Sequence, residues 1–287
     1  MRTTTAATTA RPTPAALAFT LLGPVTATVH GRPVPLDGRR QRVVLSLLVL
    51  AHGRTVPLDD LVEAVWGDRP PLSARTQLAL CVRALRKAFR TAGHPGPVIL
   101  TAPRGYRLRT ECTDVDVRTF DTLVTAADEA AAEGEQDEAG ARYVRALDLW
   151  RGPALEGVGG RVTEERAARL EERRLAAYEA LLGIGEAQVA AGLFDEGEAT
   201  LLEALRVADG TGDPVLIAEV NLVLGGFCRM LRRSLRAERH LAVAHRAFRR
   251  TGSVRGEAQV AVERALLTET AAGRGDALDL VPRQAGR

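Results

Sequence analysis

Residues 73–109 hold two patterns in immediate succession. Leu78, Val82, Leu85 and Phe89 recur at i, i+4, i+7 and i+11, which is one apolar stripe along a helix. Opposite and beside it stand Arg75, Thr76, Gln77, Arg83, Arg86 and Lys87. Directly after, 98–102 and 106–109 read as strands around a Pro103-Arg104-Gly105 turn. A helix apolar on one side and cationic on the other must bury the stripe and present the charge. The ribbon behind it limits what can cover that stripe.

The preceding residues supply the cover. Val43, Val44, Leu47, Leu48 and Leu50 make a wide apolar face on a helix over 39–52, which Gly53 stops. Thr55-Val56-Pro57 is extended. A second helix over 58–66 carries Asp59 and Asp60 at its N-terminus, favoured by the helix dipole, and buries Leu61, Val62, Val65 and Trp66. Gly67, Asp68, Arg69, Pro70, Pro71 and Leu72 form a loop, because two prolines forbid continuation, and Ser73 is expected to cap the third helix. Upstream, 19–22, 25–29 and 34–36 read as short strands, with Gly23-Pro24 and His30-Gly31 between them. Three helices followed by a ribbon are a winged helix-turn-helix.

In that architecture the third helix lies in the major groove of double-stranded DNA. Arg75, Thr76, Gln77 and Arg83 are expected to read bases or hold flanking phosphates. Arg86 and Lys87, a turn later, suit phosphates. Arg104 and Arg107 of the wing are placed for the adjacent minor groove or backbone. Charge agrees: residues 19–109 hold 14 Lys and Arg against 5 Asp and Glu, and 110–287 hold 23 against 31. A basic segment joined to an acidic one fits a DNA reader with a separate protein-facing half.

From Asp114 onward the pattern is helical hairpins, over 118–132, 137–150, 164–191, 195–208, 214–231, 237–250 and 255–272. Leu181, Ile184, Gly185, Gly197, Leu201 and Ala204 alternate small and large residues, and Leu224, Gly225, Ala237, Leu241 and Ala244 repeat them forty positions on. Leu123, Ala126, Ala127, Ala139, Tyr143 and Ala146 fit the same spacing, and Ala265, Ala277 and Val281 give a fainter copy. Such tetratricopeptide-like units bury a core by stacking. Trp150, with Tyr143 and Leu147, is expected to pack this half.

Several chemistries are excluded. Lys87 is the only lysine and follows Arg86, so neither a P-loop nor a lysine Schiff base fits. Cys81, Cys112 and Cys228 are odd in number and far apart, against a disulfide framework or four-cysteine zinc. The five histidines are scattered, with no HExxH, so neither metal nor cofactor is expected. Glu164, Glu165, Glu171 and Glu172 alternate with arginines as a solvated face. No nucleophile–base constellation is present, and the chain is expected not to be an enzyme. No apolar run approaches the roughly 20 residues that span a bilayer, so the protein is expected in the cytoplasm, at the nucleoid.

Leu36, Gly38, Arg40-Gln41-Arg42, Leu45, Leu47-Leu48, Leu61, Trp66-Gly67, Pro70-Pro71, Leu85-Arg86-Lys87-Ala88 and Gly105-Tyr106 together resemble the Streptomyces antibiotic regulatory protein family. The N-terminal domain of that family is similar to the OmpR-type winged helix. Asp116, Phe120, Ala146-Leu147, Leu149-Trp150-Arg151-Gly152 and Leu155 resemble the start of its bacterial transcriptional activator domain. The resemblance covers 19–192. It implies an activator of a secondary-metabolite gene cluster that binds promoter direct repeats as side-by-side copies and recruits RNA polymerase. Gly67, Asp68, Arg69, Pro70 and Pro71 match the segment that faces polymerase. No receiver domain precedes the winged helix, so control by aspartyl phosphorylation is not expected. The family has Ser-Arg-Leu-Arg where this chain has Arg83-Ala84-Leu85-Arg86, so its operator sequence does not carry over. Beyond residue 193 the activator domain is no longer recognisable.

The expected fold is mainly α: a disordered tail over 1–17, a winged helix (α+β) over 18–110, an all-α tetratricopeptide-like domain over 114–272 and a loose tail over 273–287. The expected function is sequence-specific transcriptional activation. The alternatives are a protein-interaction scaffold, or a ligand-gated repressor or activator working through the helical repeats.

Overall fold

The computed structural model describes residues 17–109 and 113–279, with side chains through 269. The Thr/Ala/Pro-rich tail, Cys112 and Val281 lie outside the described residues, as does the side chain of Ala277. The architecture is mainly α, a winged helix followed by helical hairpins. It divides into two compact units. One takes the chain up to Thr119 together with Gly152–Glu171, the other Phe120–Arg151 and everything from Glu172.

In the first unit β1 (Leu17–Thr20) pairs antiparallel with β2 (Thr26–Val29), Phe19 facing Ala27, and β3 (Arg32–Pro33) forms the edge. His30 and Gly31 turn β2 into β3 with φ of 48° and 77°, the left-handed pair a two-residue hairpin needs. Leu17, Phe19, Ala27 and Val29 point inward. Three helices cover them: α1 (Arg39–Leu50), α2 (Leu58–Trp66) and α3 (Ala74–Thr91). Phe19 meets Phe89 of α3 edge-on at 6.1 Å.

β4 (Val56–Pro57), β5 (Ile99–Ala102) and β6 (Gly105–Leu108) make a second sheet in the order β4-β6-β5. Gly105 proves necessary for a reason other than the turn it was assigned to. A Cβ there would lie 1.9 Å from the Val56 carbonyl oxygen, so only glycine lets β4 join the ribbon.

Two parts of this unit lack a local sequence signal. β7 (Thr113–Val115) runs parallel to β1, with Phe19 opposite Val115. Just behind it the Asp116 carboxylate accepts the amides of Leu21, Leu22 and Val117 at 2.8–3.0 Å. Gly152–Glu171 also returns to the first sheet. The Leu155 amide donates to the Leu21 carbonyl at 2.9 Å and that of Glu156 to Gly23 at 3.0 Å. Arg39 Nε donates to the Gly159 carbonyl, and Arg161 pairs with Glu63.

The second unit contains most of α4 (Asp116–Ala132), all of α5 (Gln136–Leu147), and α6 (Arg161–Ala190) from Glu172. It continues through α7 (Phe194–Thr211), α8 (Pro214–Met230), α9 (Ser234–Thr251) and α10 (Val254–Asp279). Trp150 is buried edge-on to Phe120 at 5.6 Å, with Arg174 over its indole at 4.7 Å. The forty-residue repeat is physical. A Cβ on Gly185 would come 2.8 Å from Leu201, and one on Gly225 would come 2.6 Å from Leu241. In both hairpins a missing side chain lets a buried leucine seat against the facing helix.

Helix α5 stops at Leu147, short of Trp150. Helix α10 continues past Gly273, where the sequence pattern ends it; a glycine inside a helix costs about 1 kcal/mol relative to alanine but does not break it.

Candidate nucleic-acid interface

Helix α3 divides its eighteen residues among three environments. Leu78, Val82, Leu85 and Phe89 are fully buried, as their spacing requires. One flank faces α1: Gln77 accepts from Arg40 Nη1 at 2.7 Å through Oε1, and its amide donates to Ser73 Oγ at 2.8 Å. The Arg40 guanidinium also lies over the Trp66 ring at 5.3 Å. Cys81 is half-buried on this flank, and burial pushes its thiol up to about 11 against an opposing pull from Arg40. Ser73 holds the N-cap position but makes no side-chain cap; its hydroxyl takes Gln77 instead, correcting the expected capping bond.

The other flank faces the ribbon. Arg86 Nε donates to the Ile99 carbonyl at 2.8 Å, its Nη2 to Thr101 Oγ1 at 2.9 Å, and its guanidinium lies 5.8 Å from the Tyr106 ring centre. Arg86 thus ties the wing to α3, whereas the sequence pattern made it a phosphate contact. Arg75 pairs with Asp59 at 2.8 Å, but the two side chains are 71% and 80% exposed. A pair that open is worth about 0–1 kcal/mol and exchanges readily for another anion.

The third face is turned away from the core. Thr76, Leu80, Arg83 and Lys87 follow i, i+4, i+7 and i+11 and are all exposed. Among the described residues Arg83 and Lys87 make no ion pair or hydrogen bond, and none of their own structure occupies them. Leu80 is 58% exposed and Ala79 stands beside it. Neither is among the residues that basic patterning singles out. Position alone finds Leu80: at 100° per residue it lies some 200° from Leu78, across the helix from the buried stripe.

On the wing, Arg104 and Arg107 are exposed. The Arg104 carbonyl accepts the Leu58 amide at 2.9 Å, which anchors the ribbon's tip to the start of α2. In the α2–α3 loop, Gly67 takes φ 66°, and Gly67, Asp68, Arg69, Pro70 and Pro71 are all exposed. Leu72, which follows, is fully exposed. The structure therefore brings Thr76, Arg83 and Lys87 onto one face, puts Arg104 and Arg107 on the neighbouring ribbon, and draws Gln77 and Arg86 into internal contacts. Among the described residues no cluster of His, Cys, Asp and Glu is arranged to hold a metal, and no helix is long and apolar enough to cross a membrane.

Comparison with known proteins matches residues 31–108 to the domain described as transcriptional regulatory protein, C terminal, and residues 115–209 to the bacterial transcriptional activator domain. The second match runs past residue 193, where the sequence pattern loses it, and includes all but the last residues of α7. The regulatory protein DnrI of Streptomyces peucetius is 40% identical over 168 residues, 56% of this chain and 61% of DnrI. The transcriptional regulatory protein EmbR of Mycobacterium tuberculosis is 38% identical over 178 residues, 61% of this chain and 45% of EmbR. The chain thus matches only about half to three-fifths of either relative. The structure of Mycobacterium tuberculosis EmbR in complex with a low affinity phosphopeptide superposes with a TM-score of 0.63 at 28% identity, covering 95% of this chain and 73% of that one. Both domains and both relatives are those of transcriptional regulators, not of enzymes. An OmpR-type winged helix followed by a bacterial transcriptional activator domain, in a chain homologous to DnrI and EmbR, makes this protein a member of the Streptomyces antibiotic regulatory protein family.

Proposed function

We propose that the chain is a sequence-specific DNA-binding transcriptional activator of a secondary-metabolite, antibiotic-type gene cluster. The outward face of α3 enters the major groove. Arg83 and Thr76 meet base edges, and Leu80 and Ala79 offer the apolar contact that a thymine methyl accepts. Lys87 neutralises a phosphate, and Arg75 exchanges Asp59 for another. Arg104 and Arg107 follow the backbone or minor groove beside the helix. Gln77 and Arg86 act at one remove, by fixing α3 to α1 and to the wing. Copies bind side by side on promoter direct repeats, and Gly67, Asp68, Arg69, Pro70 and Pro71, with the bare Leu72 beside them, turn toward RNA polymerase. The protein works at the nucleoid.

One observation carries this reading. Among the described residues α3 leaves Thr76, Arg83 and Lys87 without internal side-chain partners around an exposed leucine, while Arg75, Gln77 and Arg86 are engaged. Cationic groups free to meet phosphates, set around a small apolar surface that a thymine methyl can touch, are what a groove-reading helix needs.

Gel-shift titrations of the full chain on the promoter of its own gene cluster and on a scrambled duplex test it. Arg83→Ala is expected to weaken cognate binding by about tenfold to a hundredfold and scrambled binding much less. Lys87→Ala is expected to weaken both equally and to lower the slope of log K against log salt by about one. Wild-type behaviour in both variants would falsify the reading.

A further inference from the structure

Arg229 to Arg250 hold eight arginines and one carboxylate, Glu238, within a half of the chain that is otherwise acidic. The fold sorts these arginines. Arg229 pairs with Glu263 at 2.8 Å, and Arg233 and Arg236 share Glu198 at 2.7 and 3.4 Å. Glu238 is taken by Arg264 at 2.7 Å. Arg232, just before α9, and Arg239, Arg246, Arg249 and Arg250 on it are exposed and have no side-chain hydrogen bond or ion pair among the described residues.

The four that lie on α9 are ordered along it. Arg236, Arg239, Val243, Arg246 and Arg250 follow i, i+3, i+7, i+10 and i+14, which is one face, and Arg249 stands at its side. Two hollows run along that face. One, of about 390 Å³, is bordered by Glu198, Leu202, Asn221, Arg236, Arg239 and His240, with Glu198 already neutralised by Arg233 and Arg236. The other, of about 650 Å³, is bordered by Ile217, Arg246, Arg249 and Arg250. Val243 borders both, so the two hollows are neighbours along the helix. Arg239 to Arg250 span about 16 Å of helix at the α-helical rise. Over that axial length one strand of duplex DNA presents about five phosphates.

The kind of partner follows from what the face lacks. The exposed Leu235 and Leu202 stand at the N-terminal end of the face, but from Arg239 to Arg250 α9 itself exposes no large apolar side chain, so its Arg246–Arg250 end lacks the anchors that carry a protein–protein hot spot. A row of unpaired guanidinium groups is sufficient for phosphates, which are held by charge and without sequence readout. It also gives a net-negative helical unit one surface that a polyanion does not repel. We propose that this face of α9 binds the phosphate backbone of DNA, a second and sequence-independent contact besides that of α3. The proposal rests on the DNA-binding reading only for the identity of the polyanion.

The test is anisotropy of the full chain on a mixed-sequence 40-base-pair duplex across a sodium chloride series. The variants are R239Q/R246Q/R249Q/R250Q, the corresponding four-lysine variant, and R83A/K87A. Each phosphate neutralised contributes about 0.9 to the slope of log K against log salt. The four-glutamine variant is expected to lose two or more from that slope and at least tenfold in affinity. The four-lysine variant should keep both, because charge and not geometry carries the contact, and its binding shows that substitution at these four positions leaves the fold intact. R83A/K87A should retain the part of the slope that the glutamine variant loses. An unchanged slope in the glutamine variant overturns the proposal, and so does an unchanged slope accompanied by lost reporter transcription, which assigns the face to an acidic protein. Loss of slope in the glutamine variant with none in R83A/K87A upholds α9 and sinks the reading of α3 instead.

Discussion

At the scale of the residue, Arg86 has the most specific surroundings on α3. Its two hydrogen bonds to β5 are charge-assisted, and its stacking on Tyr106 reaches β6. Arg86→Ala leaves the Ile99 carbonyl without that donor, at a cost of about 1–3 kcal/mol for a bond to a charged group. The expected outcome is a lower melting temperature and faster proteolytic cleavage between residues 97 and 109. Arg86→Lys should recover little, since one ammonium does not reproduce a planar fork that meets two acceptors and a ring. A melting temperature equal to wild type in Arg86→Ala would show that the wing is held by its strands alone. Arg83 and Arg86 look alike in the sequence, each basic and each off the apolar stripe. They stand some 60° apart around the helix, and the ribbon packs on one flank only. Periodicity locates the buried stripe, but which flank receives the ribbon depends on strand pairing set outside the helix.

At the scale of the element, the helical hairpins are held by size complementarity more than by polar contacts. Gly225 and Gly183 are both helical glycines in very different space: a Cβ on the first meets Leu241 at 2.6 Å, and one on the second meets nothing within 4 Å. Alanine gains about 1 kcal/mol of helix propensity at either site. At Gly225 the overpacking of a fully buried leucine costs about 1–3 kcal/mol and outweighs it. Urea unfolding is therefore expected to show Gly225→Ala destabilised by about 1 kcal/mol and Gly183→Ala stabilised by about half that or more; equal shifts would contradict the packing account. The paired small and large residues are legible in the sequence because each needs the other at a fixed spacing. β7 is not legible, because it has three residues, buries only Val115 and finds its parallel partner almost a hundred positions earlier. The same holds for 152–160, whose bonds to Leu21 and Gly23, just after β1, are made through backbone that no side-chain pattern reports.

At the scale of the whole molecule, the first unit is assembled from separated stretches of chain. Asp116 sits where they meet, accepting the amides of Leu21 and Leu22, two residues almost wholly buried. Removing a carboxylate from buried donors costs about 1–3 kcal/mol for each one left unpaired. Asp116→Ala is accordingly expected to lower the unfolding free energy of that unit by about 2–5 kcal/mol, measured by hydrogen exchange at the Leu21 and Leu22 amides. Undiminished protection there would refute the role of Asp116. A fragment ended at residue 110 loses the same carboxylate along with β7 and Gly152–Glu171. For that reason the DNA-binding experiments call for the full chain. The glycine–leucine lock of the C-terminal half has a further consequence. Because Gly185 with Leu201 and Gly225 with Leu241 recur forty positions apart, each of these two hairpins carries its own internal lock. Insertion or deletion of a whole forty-residue hairpin would leave each lock intact, so evolution can extend or trim this part of the molecule in quantised steps while the first unit keeps its stereochemistry.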